Sequence, residues 1–484
     1  MTITAHRNRQ ASLGALATAL LACGVGASAE DAASADAAPA MEAAGPTIIV
    51  NGIVPDESRL LPGSADVVDR TAIQSRAPLT LRDQLVTIPG INVVEEDAGG
   101  LSLNIGVRGL DPRRSARVLL MEDGVPIALA PYGDPSSHYA PPIERVERIE
   151  VVRGAGQILY GPQTVGGMIN FVTTPIPTDG PMARGEARGG TRGFYGVTAS
   201  AGTGSDTAGF LVEGTARGGD GIRRGHGFDI WEVVAKGRVM LGDAHEVRLR
   251  ASHYEERSNI SETMLGEREF ALDPRAAPTG EFDRFVQDRT HLQANHIWTP
   301  SAAVQLTTTG YWVRTFRASY RMTDTPGAWS DDADARGRAT GFSTLDRCFN
   351  RGNPAPGTGG SAANAITREA AEACGGRWRP REFHFYGLET RLDADHNLFG
   401  LENHLTVGAR WHQERIQRDQ FRDPNPAIRD LAFARSLTGG AHREDVGIEV
   451  RAFSGYVQNS LTAGAVTVTG GVRIEHVENT TITR

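Results

Sequence analysis

Residues 303–321, "AVQLTTTGYWVRTFRASYR", put Gln305, Thr307, Thr309, Thr315, Arg317, Ser319 and Arg321 on one parity and Leu306, Trp312 and Phe316 on the other. Consecutive side chains of a strand point to opposite faces, so this period of two predicts a strand with one wet and one apolar face. The same texture recurs in "EVRLRASHY", "HLQANHIW", "LETRLDAD", "NHLTVGARWHQERI", "AFSGYVQNSL" and "AVTVTGGVRIEHV". Soluble sandwiches alternate too. What favours a membrane barrel is the pairing of short turns with large inserts such as Ala318 to Pro380. Arg314 falls on the apolar parity and is expected near a membrane boundary. No apolar run after the amino terminus reaches the roughly 18 residues of a spanning helix, and barrel strands keep hydropathy averages low.

At the amino terminus, "HRNRQ", the apolar run Ala11 to Gly26 and "ASAE" read as a secretory signal peptide, residues 1–29. The same run also reads as a lipoprotein signal, with "LLAC" ending at Cys23. A formal charge of -8 gives no global basic field and argues against nucleic acid. Cys348 and Cys374 bracket a Gly-, Ala- and Pro-rich insert in an exported, oxidising setting, where a disulfide closing a long outer loop is the natural reading. Such a closure stabilises by roughly 3 kcal/mol in the chain-entropy account. No CxxC or paired histidine accompanies them for zinc. Residues 30–45 form a low-complexity linker. "PTIIVNG", Pro46 to Gly52, follows as a β-forming strip on a leash, suited either to strand addition on a partner's sheet or to opening the next domain.

Residues 54–174 have the composition of a compact mixed domain. "TLRDQLVTIPGINV" predicts a short helix with Leu81, Leu85 and Ile88 on one face, stopped by Pro89 and Gly90. "LNIGVRG", "ARVLLMEDGVPI" and "GMINFVT" predict strands, the second folded at Asp123-Gly124. In "IERVERIEVVRG", Glu144, Glu147 and Glu150 alternate with Arg145, Arg148 and Arg153, which reads as a solvated ion-pair face. No GxSxG or zinc-spaced histidine motif occurs, so no catalytic residue, cofactor or metal site is expected and the chain does not read as an enzyme.

The stretch "VERIEVVRGAGQILYGPQTVGGMINFVTT", Val146 to Thr174, resembles the end of the plug domain in TonB-dependent outer-membrane receptors. Gly154, Gly156, Gly161, Gly166 and Gly167 would permit close backbone approach in a crowded lumen. As a nucleotide fingerprint they fail: Leu159 takes the place of the third glycine, and no helix is expected after it. The resemblance implies a transmembrane antiparallel β-barrel with a mixed α+β plug inside its lumen, in the bacterial outer membrane. It assigns residues 46–52 as a TonB box, with Pro46, Thr47, Ile48, Ile49 and Val50 binding TonB. Residues 53–178 become the plug and 179–484 the amino-terminal part of the barrel. Energy would come from the proton gradient through TonB, ExbB and ExbD, after cargo capture shifts the plug. Only the 30–45 linker precedes the TonB box, so a transcriptional signalling domain is not expected. Barrels of this kind close at about 22 strands. About eleven candidates of nine to eleven residues are visible here. An unclosed edge in lipid leaves backbone groups unpaired, so a truncated barrel is the expectation.

Within the family, "VRGLDPRRSARVLLMEDGVPIALAPYGDP" resembles the ferric dicitrate branch. "APYGDPSSHYAPP", residues 130–142, then becomes an apical plug loop facing the vestibule, with Tyr132, Asp134 and His138 as candidate cargo contacts. Its prolines reduce the entropy lost on docking. Plain turn chemistry at Gly133-Asp134-Pro135 accounts for the same residues, and two potential ligands do not make a metal site. Ferric citrate is anionic and calls for forked, permanently charged donors. The resemblance places these at Arg108, Arg317, Arg381 and Arg443, each of which also reads as an ordinary lumen ion pair. Asp134 stands where that branch has a glutamine, and a carboxylate facing anionic cargo is unfavourable unless paired or protonated. The readings to separate are a ferric carboxylate importer, a receptor for another metallophore or small nutrient, and an exported soluble β-rich binding or adhesion protein.

Overall fold

The computed structural model describes residues 64–484 apart from 96–98, 154–156, 163, 260–269, 272, 278, 281, 323–330, 334–338, 344–374 and 424. The signal peptide, the linker, Pro46, Thr47, Ile48, Ile49, Val50, Cys348 and Cys374 lie outside the described residues.

The mixed domain opens with β1 (Ser64–Asp69) and α1 (Arg70–Arg76), followed by α2 (Leu81–Leu85). Thr80 and Asp83 form a reciprocal capping box at α2, and Leu81, Leu85 and Ile88 are all buried, as their spacing predicts. The hairpin β2 (Ile91–Glu95) and β3 (Leu103–Val107) comes next. The chain continues through β4 (Leu119–Glu122), β5 (Val125–Pro126), β6 (Val146–Arg153), the single turn α3 (Gln157–Tyr160) and β7 (Met168–Thr173). Asp123 and Gly124 both take positive φ, 47° and 82°, the backbone of a tight hairpin turn between β4 and β5. The turn α3 departs from the helix-free reading of the glycine-rich stretch. Five strands form one sheet in the order β1-β6-β7-β4-β5, with β4 parallel to β7.

After Thr173 the chain builds one antiparallel sheet of eleven strands. They are β8 (Gly180–Gly189), β9 (Tyr195–Gly204), β10 (Ala208–Asp220), β11 (Gly227–Met240), β12 (His245–Ser258), β13 (Arg284–Ser301) and β14 (Val304–Arg321). A two-strand hairpin, β15 (Asp331–Ala333) and β16 (Ala339–Ser343), intervenes. The sheet resumes with β17 (Gly376–Leu398), β18 (Leu401–Asp423), β19 (His442–Ala463) and β20 (Val466–Thr483). Neighbours in the sheet are successive in sequence except β14 and β17, between which β15 and β16 intervene, and β8 and β20 are its two edges. Short turns at 205–207, 241–244, 302–303, 399–400 and 464–465 share one end, and the longer connections lie at the other. The insert after β14 is 322–375, shorter than the expected Ala318 to Pro380 because both flanking strands continue into it.

The strands run to 23 residues in β17 and β18, beyond the nine to eleven expected. About 9–11 tilted residues cross the hydrocarbon, so the remainder extends the wall past the bilayer on the long-loop side. Inward and outward faces follow the predicted parity. On β14, Thr307, Thr309, Thr315 and Arg317 are buried on the inward face. Outward, Tyr386 and Trp411 meet edge to face at 5.5 Å, with Trp411 45% and Phe453 57% exposed. Arg314 lies one outward position beyond Trp312, between Asp288 at 2.7 Å and Glu382 at 3.0 Å. Both carboxylates neutralise it on the outward face.

The reading of "IERVERIEVVRG" as a solvated face is wrong. Glu144, Arg145, Glu150 and Arg153 are all buried, because β6 is an inner strand of the plug sheet and its start faces the barrel wall. Arg145 lies 3.1 Å from Glu122 of its own domain, 3.0 Å from Glu213 on β10 and 2.5 Å from Glu232 on β11. Tyr139 donates its hydroxyl to Glu122 and Glu232, at 3.1 and 2.9 Å. Arg250 on β12 approaches Glu122 at 2.6 Å, and Lys236 on β11 approaches Asp123 at 3.1 Å. Alternating charge on a strand reports only alternation; which face meets water is decided by the layer beyond it.

Burial alone would raise the Glu122 carboxyl, and Arg250, Arg145 and Arg289 overcome it and hold it below the usual range. A depressed carboxyl contributes stability above its unfolded value, here 4.5, and loses it as pH falls towards the folded value. Replacing Arg145 by Ala leaves buried carboxylates uncompensated and should lower the unfolding free energy by about 3–5 kcal/mol at pH 7. Urea titrations of wild type and variant should show that gap, and show it narrowing below pH 4.5 as the carboxylates protonate.

Candidate functional site

The loop after β5 is closed on itself before it meets the wall. Ala130 and Asp134 exchange both backbone hydrogen bonds, at 3.1 and 2.9 Å, and Leu129 donates to the Ser136 carbonyl at 2.9 Å. Leu129 and Ala130 pack on Phe383 and Ile416 of the inner wall. Glu414 on β18 accepts the amides of Tyr132 and Gly133, each at 2.8 Å. A Cβ at Gly133 would sit 2.8 Å from Ile416 Cδ1 and 3.1 Å from Glu414 Oε2, so a larger residue there would make these side-chain ends shift.

This docking gives the three loop candidates different surroundings. Tyr132 is anchored: its hydroxyl accepts from Arg410 and donates to Glu475, both at 3.3 Å, and its ring lies 5.3 Å from that of His412. Asp134 accepts from Ser136 Oγ and lies 3.5 Å from Arg381 Nη1, so the carboxylate is paired, the condition the sequence argument set. Turn chemistry and ion pairing therefore coexist at Asp134. His138 is 6% exposed and its Nε2 has no hydrogen-bond partner. Burial first, then Arg317, Arg114, Arg381 and Arg321, push its imidazole well below the ordinary histidine value, so it is neutral at neutral pH.

Facing this loop, Arg317 on β14 is directly opposite Arg381 on β17, and Arg381 is directly opposite Arg418 on β18. All three have inward parity, and Arg317 is 6% exposed with Nε unpartnered. Like charges directly opposite on neighbouring strands repel. The counter-ions given to this row are Asp134 at Arg381 and Glu444 at Arg418, the latter at 3.1 Å. Arg114 joins from the plug, carried on a tight turn at 113–115 where it adopts φ 57° and its carbonyl accepts from the Ser137 amide at 3.1 Å. The arrangement is a cation-rich stretch of inner wall, buried at Arg317 and part-exposed at Arg381 and Arg418, suited chemically to a multiply charged anion with planar oxygens.

Arg317, Arg381, Asp134 and His138 are thus together, with Tyr132 beside them as an anchor. Two other candidates are elsewhere. Arg108 follows β3 with φ 54°, is exposed, and donates to the Arg153 carbonyl at 3.4 Å. Arg443 is exposed where the β18–β19 register shifts, and Arg422 is its electrostatic neighbour. Sequence reasoning missed Arg114 and Arg418 as members of the site. Arg321 was legible through its parity with Arg317 but was not singled out.

A family model described as the TonB-dependent receptor plug domain matches residues 57–168, and one described as TonB-dependent receptor-like β-barrel matches residues 250–484. The chain is 28% identical over 206 residues to the vitamin B12 transporter BtuB of Photobacterium profundum, covering 41% of this chain and 33% of that protein. It is 30% identical over 151 residues to an iron-regulated outer membrane virulence protein of Vibrio cholerae serotype O1, covering 30% and 21%. Among solved structures, the ferric citrate transporter FecA in its unliganded form matches with TM-score 0.69 at 22% identity, covering 88% of this chain and 58% of that one. The ferric-catecholate import receptor Fiu from K12 E. coli, in its closed form, matches with TM-score 0.61 at 14% identity, covering 87% and 57%. The chain therefore spans little more than half of these solved chains, and the matches span a third or less of these curated relatives. At these identities the structural likeness establishes the fold alone.

Glu414 carries a prediction for the loop. Each amide it holds is a charge-assisted bond worth about 1.5–3 kcal/mol, so Glu414→Ala should speed hydrogen exchange at Tyr132 and Gly133 by roughly 10–100-fold. Mass-spectrometric exchange on the 127–140 peptides should register the change, while the β6–β7 peptides stay protected.

Proposed function

The chain belongs to the TonB-dependent receptor family of the bacterial outer membrane, and on that premise we propose that it captures a multiply anionic iron chelate, ferric dicitrate or a similar ferric carboxylate, for import. The observation that carries this reading is the in-register row Arg317, Arg381 and Arg418, faced by Arg114 and the neutral His138. Three guanidinium groups set against one another repel, and a polycarboxylate entering between them relieves that repulsion while accepting bidentate hydrogen bonds. Asp134 acts as an internal stand-in for the anion at Arg381 and yields that place to a cargo carboxylate. The neutral imidazole of His138 adds a donor or acceptor without a second negative charge.

Transport follows the order set out by the family resemblance. Cargo seated against the apical loop shifts the plug, Pro46, Thr47, Ile48, Ile49 and Val50 become available to TonB in the periplasm, and strand pairing transmits the proton-gradient energy delivered with ExbB and ExbD. The protein uses no resident cofactor, since iron arrives as cargo and no bond is made or broken by the chain. A second reading, another metallophore or small nutrient, draws support from the likeness to a protein named as a vitamin B12 transporter.

Calorimetric titration of the full-length protein with ferric citrate separates the two. Arg317→Ala and Arg381→Ala should each weaken binding by about 10–100-fold, the loss of one or two charge-assisted hydrogen bonds, and Asp134→Asn should strengthen it. No measurable affinity for ferric citrate, or unchanged affinity in both arginine variants, rejects the carboxylate reading and leaves the alternative cargo.

A further inference from the structure

The connection from β18 to β19 folds against the outward face of the strand ends, opposite to the arginine row. Its one-turn segment Pro426–Arg429 and α4 (Leu431–Ser436) place Ile428 and Ala434 in a buried cluster with Tyr320, Trp378 and Phe421. Trp378 Nε1 donates to the Ile428 carbonyl at 2.7 Å, and Arg429 lies 4.5 Å over the Phe282 ring. At the feet of this connection stand Asp419 on β18 and His442 and Asp445 on β19. One ligand atom from each lies within 4.8 Å of the other two.

We propose that Asp419, His442 and Asp445 form a binding site for a first-row divalent cation of the zinc type, which ties β18 to β19 at the base of the 424–441 connection. The register is the first reason. Asp419 and Asp445 are direct cross-strand partners, so two carboxylates project from one face at one level. Nearby cross-strand charges are matched instead: Arg415 faces Glu449 at 3.5 Å, and Arg418 lies 3.1 Å from Glu444. Facing carboxylates repel, and a bound cation reverses the sign of that interaction.

The donor chemistry is the second reason. His442 Nε2 lies 3.0 Å from Asp419 Oδ1, near the separation of roughly 3.3 Å that two ligands take when each is about 2.0–2.1 Å from a tetrahedral zinc. The imidazole plane is stacked on Phe421 with centroids 4.5 Å apart, which aims Nε2 at the carboxylates. Gln417 Nε2 donates to Asp445 Oδ1 at 2.9 Å and approaches both oxygens of Asp419 at 3.4 Å, so it orients the two carboxylates together. Arg484 Nη1, 3.8 Å from the same oxygen, is the competing cation, and its side chain is 62% exposed. One imidazole with two carboxylates favours zinc over calcium or magnesium, and a fourth position stays open to water. The three residues share the outward parity of Arg415 and Trp411 or sit at the register shift, away from the inward arginine row, so this site is independent of the cargo assignment.

The test is a calorimetric titration of Zn2+ into the full-length, detergent-solubilised protein after chelator stripping. One equivalent of binding should be present in the wild type and lost in His442→Ala, Asp419→Asn and Asp445→Asn. Heat-modifiable migration on gels verifies that each variant keeps its barrel, and the near-isosteric Asp419→Asn stands in should His442→Ala fail that check. Zn2+ should also slow tryptic cleavage after the exposed Arg435 in the wild type and leave the variants unaffected. A wild type that takes up no zinc, folded variants that still bind it, or cleavage indifferent to the metal overturns the proposal. None of these results bears on ferric citrate affinity, which is read separately.

Discussion

Arg145 is fully buried and shared by three carboxylates, two of which belong to the wall and one to the plug. A guanidinium in that position is tolerable only while all three are in place, since desolvating it costs several kcal/mol that close, well-oriented counter-charges must offset. The geometry is therefore mutually exclusive with other heights or rotations of the plug. Hydrophobic contact alone would not give that selectivity: Phe228, Ile230 and Tyr254 of the wall merge with the plug core, and apolar surfaces slide with little directional penalty. The ion cluster sets the register of plug against barrel, and that register puts the tip of the 130–142 loop under Glu414 and beside Arg381.

The arginine row obeys the opposite logic. Arg317, Arg381 and Arg418 stand in direct opposition with fewer matched acids than the Arg145 cluster has. One assembly is charge-balanced and fixes position; the other is left cation-rich. Both lie on the inward parity of the same sheet, which must send its polar residues to the lumen because lipid takes the other face. The outer-membrane setting thus makes a polar interior obligatory, and the distribution of acids within it decides which part is charge-balanced and which part is cation-rich.

The parity of 303–321 predicted the β14 faces residue by residue, and the unequal spacing of alternating segments predicted the short-turn and long-loop ends. Periodicity reports side-chain direction reliably once a strand is given. It does not report what lies opposite. Arg418 joins the site because its strand pairs with β17 in a register that only the intervening turn at 399–400 determines. Arg114 joins through a left-handed backbone excursion, which no side-chain pattern announces. The charged start of β6 looked solvated for the same reason, since burial of Arg145 is imposed by wall acids 68 and 87 residues away in sequence, separations that also make such contacts slow to form. Arg108 and Arg443 are assigned by family resemblance, and neither lies on the row.

A plug held by buried charges still has to yield if cargo is to pass. The 130–142 loop and the Arg145 cluster differ in how they can do so. The loop is fastened to Glu414 through two backbone amides and to Arg381 through Asp134, contacts that a competing carboxylate can replace one for one at the vestibule. The Arg145 cluster exchanges nothing with cargo: Glu122, Glu213 and Glu232 are at most 2% exposed, and separating them from Arg145 requires water to reach all four groups at once. Binding energy from an anion can loosen the first set directly. The second responds only to a displacement that opens the interface to solvent. The two sets of contacts therefore differ in kind: one lies within reach of an entering anion, and the other is exposed only when the interface itself opens.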